Sequence, residues 1–214
     1  MPKAVLHAGS PIRSTMTTPD DFSVLLSSAK KGDEDAFATM WRIFQPGLLR
    51  YLRVIGGQAA DDLASDTWVQ VTRKLSTFQG DDKAFRAWLY TIARHRHIDW
   101  RRQTTRRKES LVEIEVLDRL PGSDDTSGSL ERAISTQEAV ALIATLPADQ
   151  AEAVMLRTVS GLPVSVVAEI MNRPAGTIRV LCHRGLRRLA RTLEGTVPDK
   201  ASEAKNSQAT EVVV

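Results

Sequence analysis

The stretch from Val164 to Leu193 reads VSVVAEIMNRPAGTIRVLCHRGLRRLARTL, and its punctuation decides the fold. Val164 to Met171 carries apolar residues at helical spacing. Asn172 suits a left-handed position just past a helix end, and Pro174 suits a helix start. Ala175 to Leu193 then reads as a second helix. Two short helices around a three-residue turn make a helix-turn-helix pattern. The second helix holds the charge. Arg179, His183, Arg184, Arg187 and Arg188 recur at three- and four-residue steps, with Ile178, Leu181, Leu186 and Leu189 as the opposite, apolar face. From Arg173 to Arg191 there are six arginines and no acid. An ordinary solvated face mixes signs. A purely basic one fits the major groove of duplex DNA, where arginine bridges guanine O6 and N7. The plain alternative is a solvated arginine face on a core helix.

Upstream of this motif a helix ends at Leu146–Pro147. Asp149 with Glu152 three residues on reads as a capping box for the next helix, which carries Ala153, Val154, Leu156 and Val159 and breaks at Gly161. Further upstream the sign of the charge reverses. Glu109 to Glu131 holds seven acids against one base, and includes the Gly/Ser-containing run from Leu120 to Ser129. Arg86 to Lys108 holds eight bases against one acid. Two basic helical blocks therefore flank an acidic spacer, an arrangement suited to a bipartite grip on one polyanion.

The first basic block interleaves aromatics with bases: Trp88, Tyr90, His95, His97 and Trp100, then Arg101 and Arg102. Bases hold phosphates and aromatics stack on unpaired bases, which suits single-stranded or melted DNA. Trp88 also lies on an apolar stripe with Phe85, Leu89, Ile92 and Ala93, so a core position is its simpler role. Before this block, Asp33 caps a helix with Phe37, Met40, Trp41, Phe44, Leu48, Leu49 and Leu52 on one side, ended by Gly56 and Gly57. Pro46 inside it predicts a kink or a division. The next helix sets Leu63, Thr67, Trp68, Val71 and Leu75 against an acidic face of Asp61, Asp62 and Asp66. Such a face is either simply solvated or a docking surface for a basic partner.

The whole chain of 214 residues allows one or two domains. Apolar residues are 42% and aromatics 5%, so the core rests on Leu, Val, Ile and Ala, which favours helices over a β-sandwich. The net charge of +3 is small, and its distribution carries the information. One cysteine, Cys182, excludes an internal disulfide and a cysteine-ligated zinc finger and fits a reducing cytoplasm. No apolar run approaches the ~20 residues of a membrane helix. The predicted layout is all-α. Residues 1–19 form a disordered tail, 20–107 a first helical domain, 108–132 a linker, 133–193 a second helical domain and 194–214 a second tail. Met16 is an alternative start.

Catalytic and metal readings find little support. His95 and His97 point to different faces of a helix. Asp62 and Asp66 have no histidine nearby, and no phosphate-binding glycine loop or nucleophile motif is present. No catalytic residue, metal or cofactor is expected. Cys182 on a helix reads as inert packing unless a lowered pKa and exposure make it reactive.

Two sets of residues now resemble one known family. The runs DDLASDTW (61–68), FRAWLYTIAR (85–94) and DWRR (99–102) look like region 2 of bacterial sigma factors. Leu146–Pro147, Gly161–Leu162, VAEI (167–170) and GTIRVLCHR (176–184) look like region 4. With only a linker between them, the chain resembles the extracytoplasmic-function (ECF) group over about residues 20–193. The resemblance implies a non-enzymatic factor that binds core RNA polymerase and directs it to promoters. It implies that Asp61, Asp62, Leu63, Asp66 and Trp68 meet the clamp of the β′ subunit, and that region 4 meets the β flap. It implies −10 DNA contacts at Phe78, Gln79, Arg94, His95, Trp100, Arg101 and Arg102, with the loop from Phe78 to Ala84 capturing a flipped base. It implies −35 duplex contacts at Thr177, Arg179, Val180, His183, Arg184, Arg187 and Arg188. An anti-sigma factor, often membrane-bound, would control it, and the chain itself would not insert in a membrane. This chain departs from the common pattern at Ser65–Asp66, Val164–Val167, Val180–Leu181, Cys182 and Gly185. Gly185 inside a helix should cost about 1 kcal/mol against Ala.

Two other functions fit parts of this pattern. A stand-alone repressor or activator would use the helix-turn-helix on duplex DNA as a dimer, but has no need of the region 2 runs. A non-DNA interaction protein, such as an anti-sigma mimic, would be acidic where this chain is basic.

Overall fold

The computed structural model describes residues 19–110 and 136–196. Nearly all of both expected tails and most of the acidic linker lie outside them. Among the described residues all regular structure is helical. The first domain comprises α1 (Pro19–Lys30), α2 (Glu34–Gly56), α3 (Ala60–Lys74) and α4 (Asp82–Ser110). The second comprises α5 (Thr136–Ala144), α6 (Ala148–Val154), α7 (Val164–Met171) and α8 (Ala175–Thr196). Helices α4 and α8 each run a few residues past the boundaries expected from sequence.

Asp33 caps α2 as its sequence predicts. Its carboxylate accepts hydrogen bonds from the backbone N–H groups of Asp35 at 3.0 Å and Ala36 at 3.1 Å. That satisfies two of the donors a helix start leaves open. Pro46 has no N–H to give, yet α2 continues through it as one helix. The burial of Met40, Phe44, Leu48, Tyr51 and Leu52 along one side holds it together across the missing bond. These residues meet Phe22 of α1, Leu63, Trp68 and Val71 of α3, and Phe85 and Leu89 of α4 in the first core.

In the second domain α6 passes into a π-helical turn at Met155–Val159, where the Ser160 N–H bonds to the Met155 carbonyl at 2.8 Å. Asn172 adopts φ 50°, ψ 52°, the left-handed stop that its position predicts. Helix α8 packs on α6 and α7. Its buried stripe is Ile178, Cys182 and Gly185, with Leu181 and Leu189 half-buried beside it. Leu186 does not belong to that stripe and is 43% exposed. At 100° per residue it stands about 80° round the axis from Ile178, at the edge of the buried sector.

The capping box expected at Asp149 and Glu152 is not formed. Pro147 precedes the first turn of α6, and no side chain caps it. Asp149 instead pairs with Arg173 at 3.2 Å. Glu152 turns away to the first domain, where stronger partners wait. The two domains touch: α2 packs against α5 and α6, and α4 against α7.

Candidate nucleic-acid interface and docking face

Helix α8 presents the first candidate surface. Thr177, Arg179, Val180, His183, Arg184, Arg187 and Arg188 are all exposed. By helical rotation they span about half its circumference. The opposite half is fixed in the core by Ile178 and Cys182, so the basic face cannot turn inward. Gly185 explains how close α8 lies. A Cβ there would fall 2.8 Å from Val154 Cγ2 and 3.4 Å from Leu146 Cδ1. Cys182 is buried, its thiol donates to the Ala153 carbonyl at 3.5 Å, and burial pushes its pKa up. Those are the properties of a packing cysteine rather than a reactive one.

Helix α4 and the loop before it form the second surface. Asp81 accepts a hydrogen bond from the Ala84 N–H at 2.8 Å and so caps α4. Gly80, at φ 145°, lets the chain double back tightly, since a Cβ there would lie 2.6 Å from that of Ala84. Phe78 is half-buried and stacks on Trp88, with ring centroids 4.8 Å apart. The Lys30 ammonium donates to the Phe78 carbonyl and ties the loop to α1. Gln79 beside it is exposed. On α4, His95, Arg101 and Arg102 are exposed, and Trp100 is 38% exposed with its ring stacked on His97. Tyr90 and His97 are buried, so neither is open to stack on a base. Burial lowers the His97 pKa to about 4, aided by the charges of Arg101 and Arg94, while a backbone hydrogen bond at Ile55 works the other way.

Arg94 stands apart from its neighbours on α4. Its guanidinium Nε donates to Glu152 Oε1 at 2.7 Å, and the two side chains are 19% and 13% exposed. The Tyr51 hydroxyl donates to the same oxygen at 3.0 Å. Burial, reinforced by the Glu152 charge, pushes the Tyr51 pKa well up and keeps it a donor. No local sequence signal joins residues 51, 94 and 152.

The third surface is on α3. Asp61, Asp62 and Asp66 are exposed, with Ser65 between them. Leu63 and Trp68 are buried. Trp68 donates its indole N–H to Gln45 at 2.7 Å and meets Phe37 edge-on. These two residues therefore fix the angle of the acidic face and do not themselves reach a partner. Among the described residues no cluster of histidine, cysteine or acids could hold a metal ion. No described helix is long and apolar enough to cross a membrane.

Comparison with known proteins agrees with this division of the chain. Residues 40–107 match the family Sigma-70 region 2, and residues 136–189 match Sigma-70, region 4. The chain is 31% identical over 176 residues to the ECF RNA polymerase sigma factor ShbA of Streptomyces griseus, covering 77% of this chain and 91% of that one. It is 32% identical over 179 residues to the ECF sigma factor BldN of Streptomyces coelicolor, covering 83% of this chain and 66% of BldN. Among solved structures it resembles the sigma factor RpoE of Bartonella quintana in complex with the anti-sigma factor NepR. The TM-score is 0.57 and the identity 27%, over 76% of this chain and 98% of that one. At 19% identity and a TM-score of 0.54, CnrH in complex with the cytosolic domain of CnrY shares the fold.

Proposed function

The chain belongs to the ECF sigma factors of RNA polymerase, and on that premise we propose how its surfaces divide the work of transcription initiation. It is a non-enzymatic initiation factor whose region 4 binds DNA. The acidic face of Asp61, Asp62 and Asp66 docks on the β′ clamp, and region 4 meets the β flap. Helix α4 takes the −10 element through Arg94, His95, Trp100, Arg101 and Arg102. The loop at Phe78 and Gln79 receives a base turned out of the stack. Extrusion costs a few kcal/mol, which stacking and pocket hydrogen bonds must offset. Helix α8 reads the −35 duplex.

The observation that carries this reading is the exposed, acid-free face of α8 from Thr177 to Arg188, held outward by its own buried stripe. Each module alone binds DNA weakly. Joint attachment to polymerase raises the effective concentration of each at its element. The sigma factor RpoE was captured with the anti-sigma factor NepR, and we infer a partner of that kind here.

The test is in vitro transcription by bacterial core polymerase on fragmented genomic DNA, with and without the full chain. Discrete starts that need the chain support the reading and define both promoter elements. Tight duplex binding without polymerase, and no chain-dependent transcript, would replace it with a stand-alone repressor.

A further inference from the structure

The contact between the domains forms a half-open cavity of about 120 Å³. Arg50 and Gly47 of α2, Arg86 and Tyr90 of α4, and Ser160 after the π-helical turn all line it. None of its lining residues is acidic. The Nε of Arg50 is buried there without a hydrogen-bond partner, and Ser160, a residue only 7% exposed, turns its hydroxyl toward that of Tyr90. Arg86 rests over the Phe44 ring at 5.8 Å. Neither arginine takes part in an ion pair among the described residues. Gly47 keeps the space open, since a Cβ there would lie 3.1 Å from the Tyr90 hydroxyl. That hydroxyl is the point where the groups converge. Burial raises its pKa, while Ser160 and the charges of Arg86 and Arg50 act against the rise.

Two guanidinium groups sharing one small cavity without an acid are costly. Like charges repel, and buried donors without acceptors lose their hydration for nothing. Forked guanidinium donors and two hydroxyls are the complement of an oxyanion. The volume matches about four waters. A space of that size admits one tetrahedral anion.

We propose that this cavity is a binding site for a phosphate group, either free inorganic phosphate or the terminal phosphate of a monoester whose body lies outside. Region 2 supplies Arg50, Arg86 and Tyr90, and region 4 supplies Ser160, so the site exists only while the domains are together. A ligand that binds only the closed arrangement shifts the population toward it. The proposal is independent of how α4 and α8 engage DNA.

The experiment titrates the full chain with inorganic phosphate, and separately with glycerol 3-phosphate, at fixed ionic strength balanced by chloride. Calorimetry reads binding and small-angle X-ray scattering reads compaction. The expected result is one saturable site, weakened at least tenfold in Arg50→Gln and Arg86→Gln and at least threefold in Ser160→Ala. Arg42→Gln removes an exposed charge of α2 and leaves binding unchanged. The radius of gyration falls on saturation. Equal binding of the monoester assigns the site to terminal phosphates, and weaker binding assigns it to the free ion. Ser160→Ala keeps the test valid if an arginine variant fails to fold. Non-saturable binding, or equal loss in Arg42→Gln, would overturn the proposal. So would phosphate indifference combined with weaker duplex DNA binding by Arg50→Gln and Arg86→Gln, which would give both arginines to the DNA backbone.

Discussion

Arg94 of region 2 and Glu152 of region 4 form an ion pair at 2.7 Å across the domain boundary, and Tyr51 shares the same carboxylate oxygen. The proposed −10 and −35 elements are named for sites roughly 25 base pairs apart, or roughly 85 Å along B-DNA. Arg94 cannot keep Glu152 while both domains occupy their elements. On the proposed function, the pair belongs to a closed arrangement that promoter binding opens.

Glu152→Gln should loosen that arrangement without unfolding either domain. Removing one partner of a mostly buried pair costs about 3–5 kcal/mol when the other charge stays buried. Here Arg94 regains water once the domains part, so the loss is capped by the docking energy. X-ray scattering should show a larger radius of gyration, with helix content by circular dichroism unchanged. An unchanged radius would mean that apolar contacts of α2 with α5 and α6 suffice.

His97 makes stability depend on acidity. Its pKa is near 6.5 in an unfolded chain and about 4 in the fold. The fold therefore holds the neutral ring, and the unfolded state binds the extra proton first. The contribution is complete above pH 6.5 and is lost as pH falls toward 4. It amounts to at most about 3 kcal/mol. His97→Phe should flatten the fall in urea midpoint between pH 6.5 and 4.5 relative to the parent. An equally steep fall in the variant would assign the acid sensitivity to carboxylates.

Gly185→Ala tests packing against propensity. Alanine gains about 1 kcal/mol as a helix former. Its Cβ would meet Val154 Cγ2 at 2.8 Å, and Val154 is fully buried and stiff at χ1. Overpacking costs about 1–3 kcal/mol. The variant should be less stable by about 1 kcal/mol, read as a lower thermal midpoint. A higher midpoint would show that α8 can move off α6 freely.

These cases show where sequence suffices. Asp33, Asn172 and the Gly56–Gly57 stop act on backbone groups within a few residues, so their roles are written locally, and all three are seen. The basic face of α8 was legible because 3.6-residue periodicity separates it from Ile178 and Cys182. Glu152 reads as a cap from sequence because a capping box and a long-range ion pair use the same residue, and only the fold supplies Arg94. Tyr90 and His97 are buried although their spacing among bases suggests a surface role, because aromatic residues serve core and surface alike. Gly185 looked like a helix defect because the neighbour it admits, Val154, comes from another helix.

The proposed −35 surface on α8 separates base reading from phosphate gripping. In helix-turn-helix proteins the N-terminal part of the second helix reaches base edges. Arg184 lies nearer that end than Arg188, and both are exposed on the same side of α8. Arg184→Ala should lower promoter affinity by about 1–3 kcal/mol and relax the preference at one −35 position. Arg188→Ala should weaken all promoters alike and reduce the salt slope by about one. Holoenzyme binding to a panel of −35 variants at several salt concentrations reads both effects. If Arg184→Ala behaved as Arg188→Ala is expected to, Arg184 would grip the backbone, and base selection would fall to Thr177, Arg179 and Val180 in the first turns of α8.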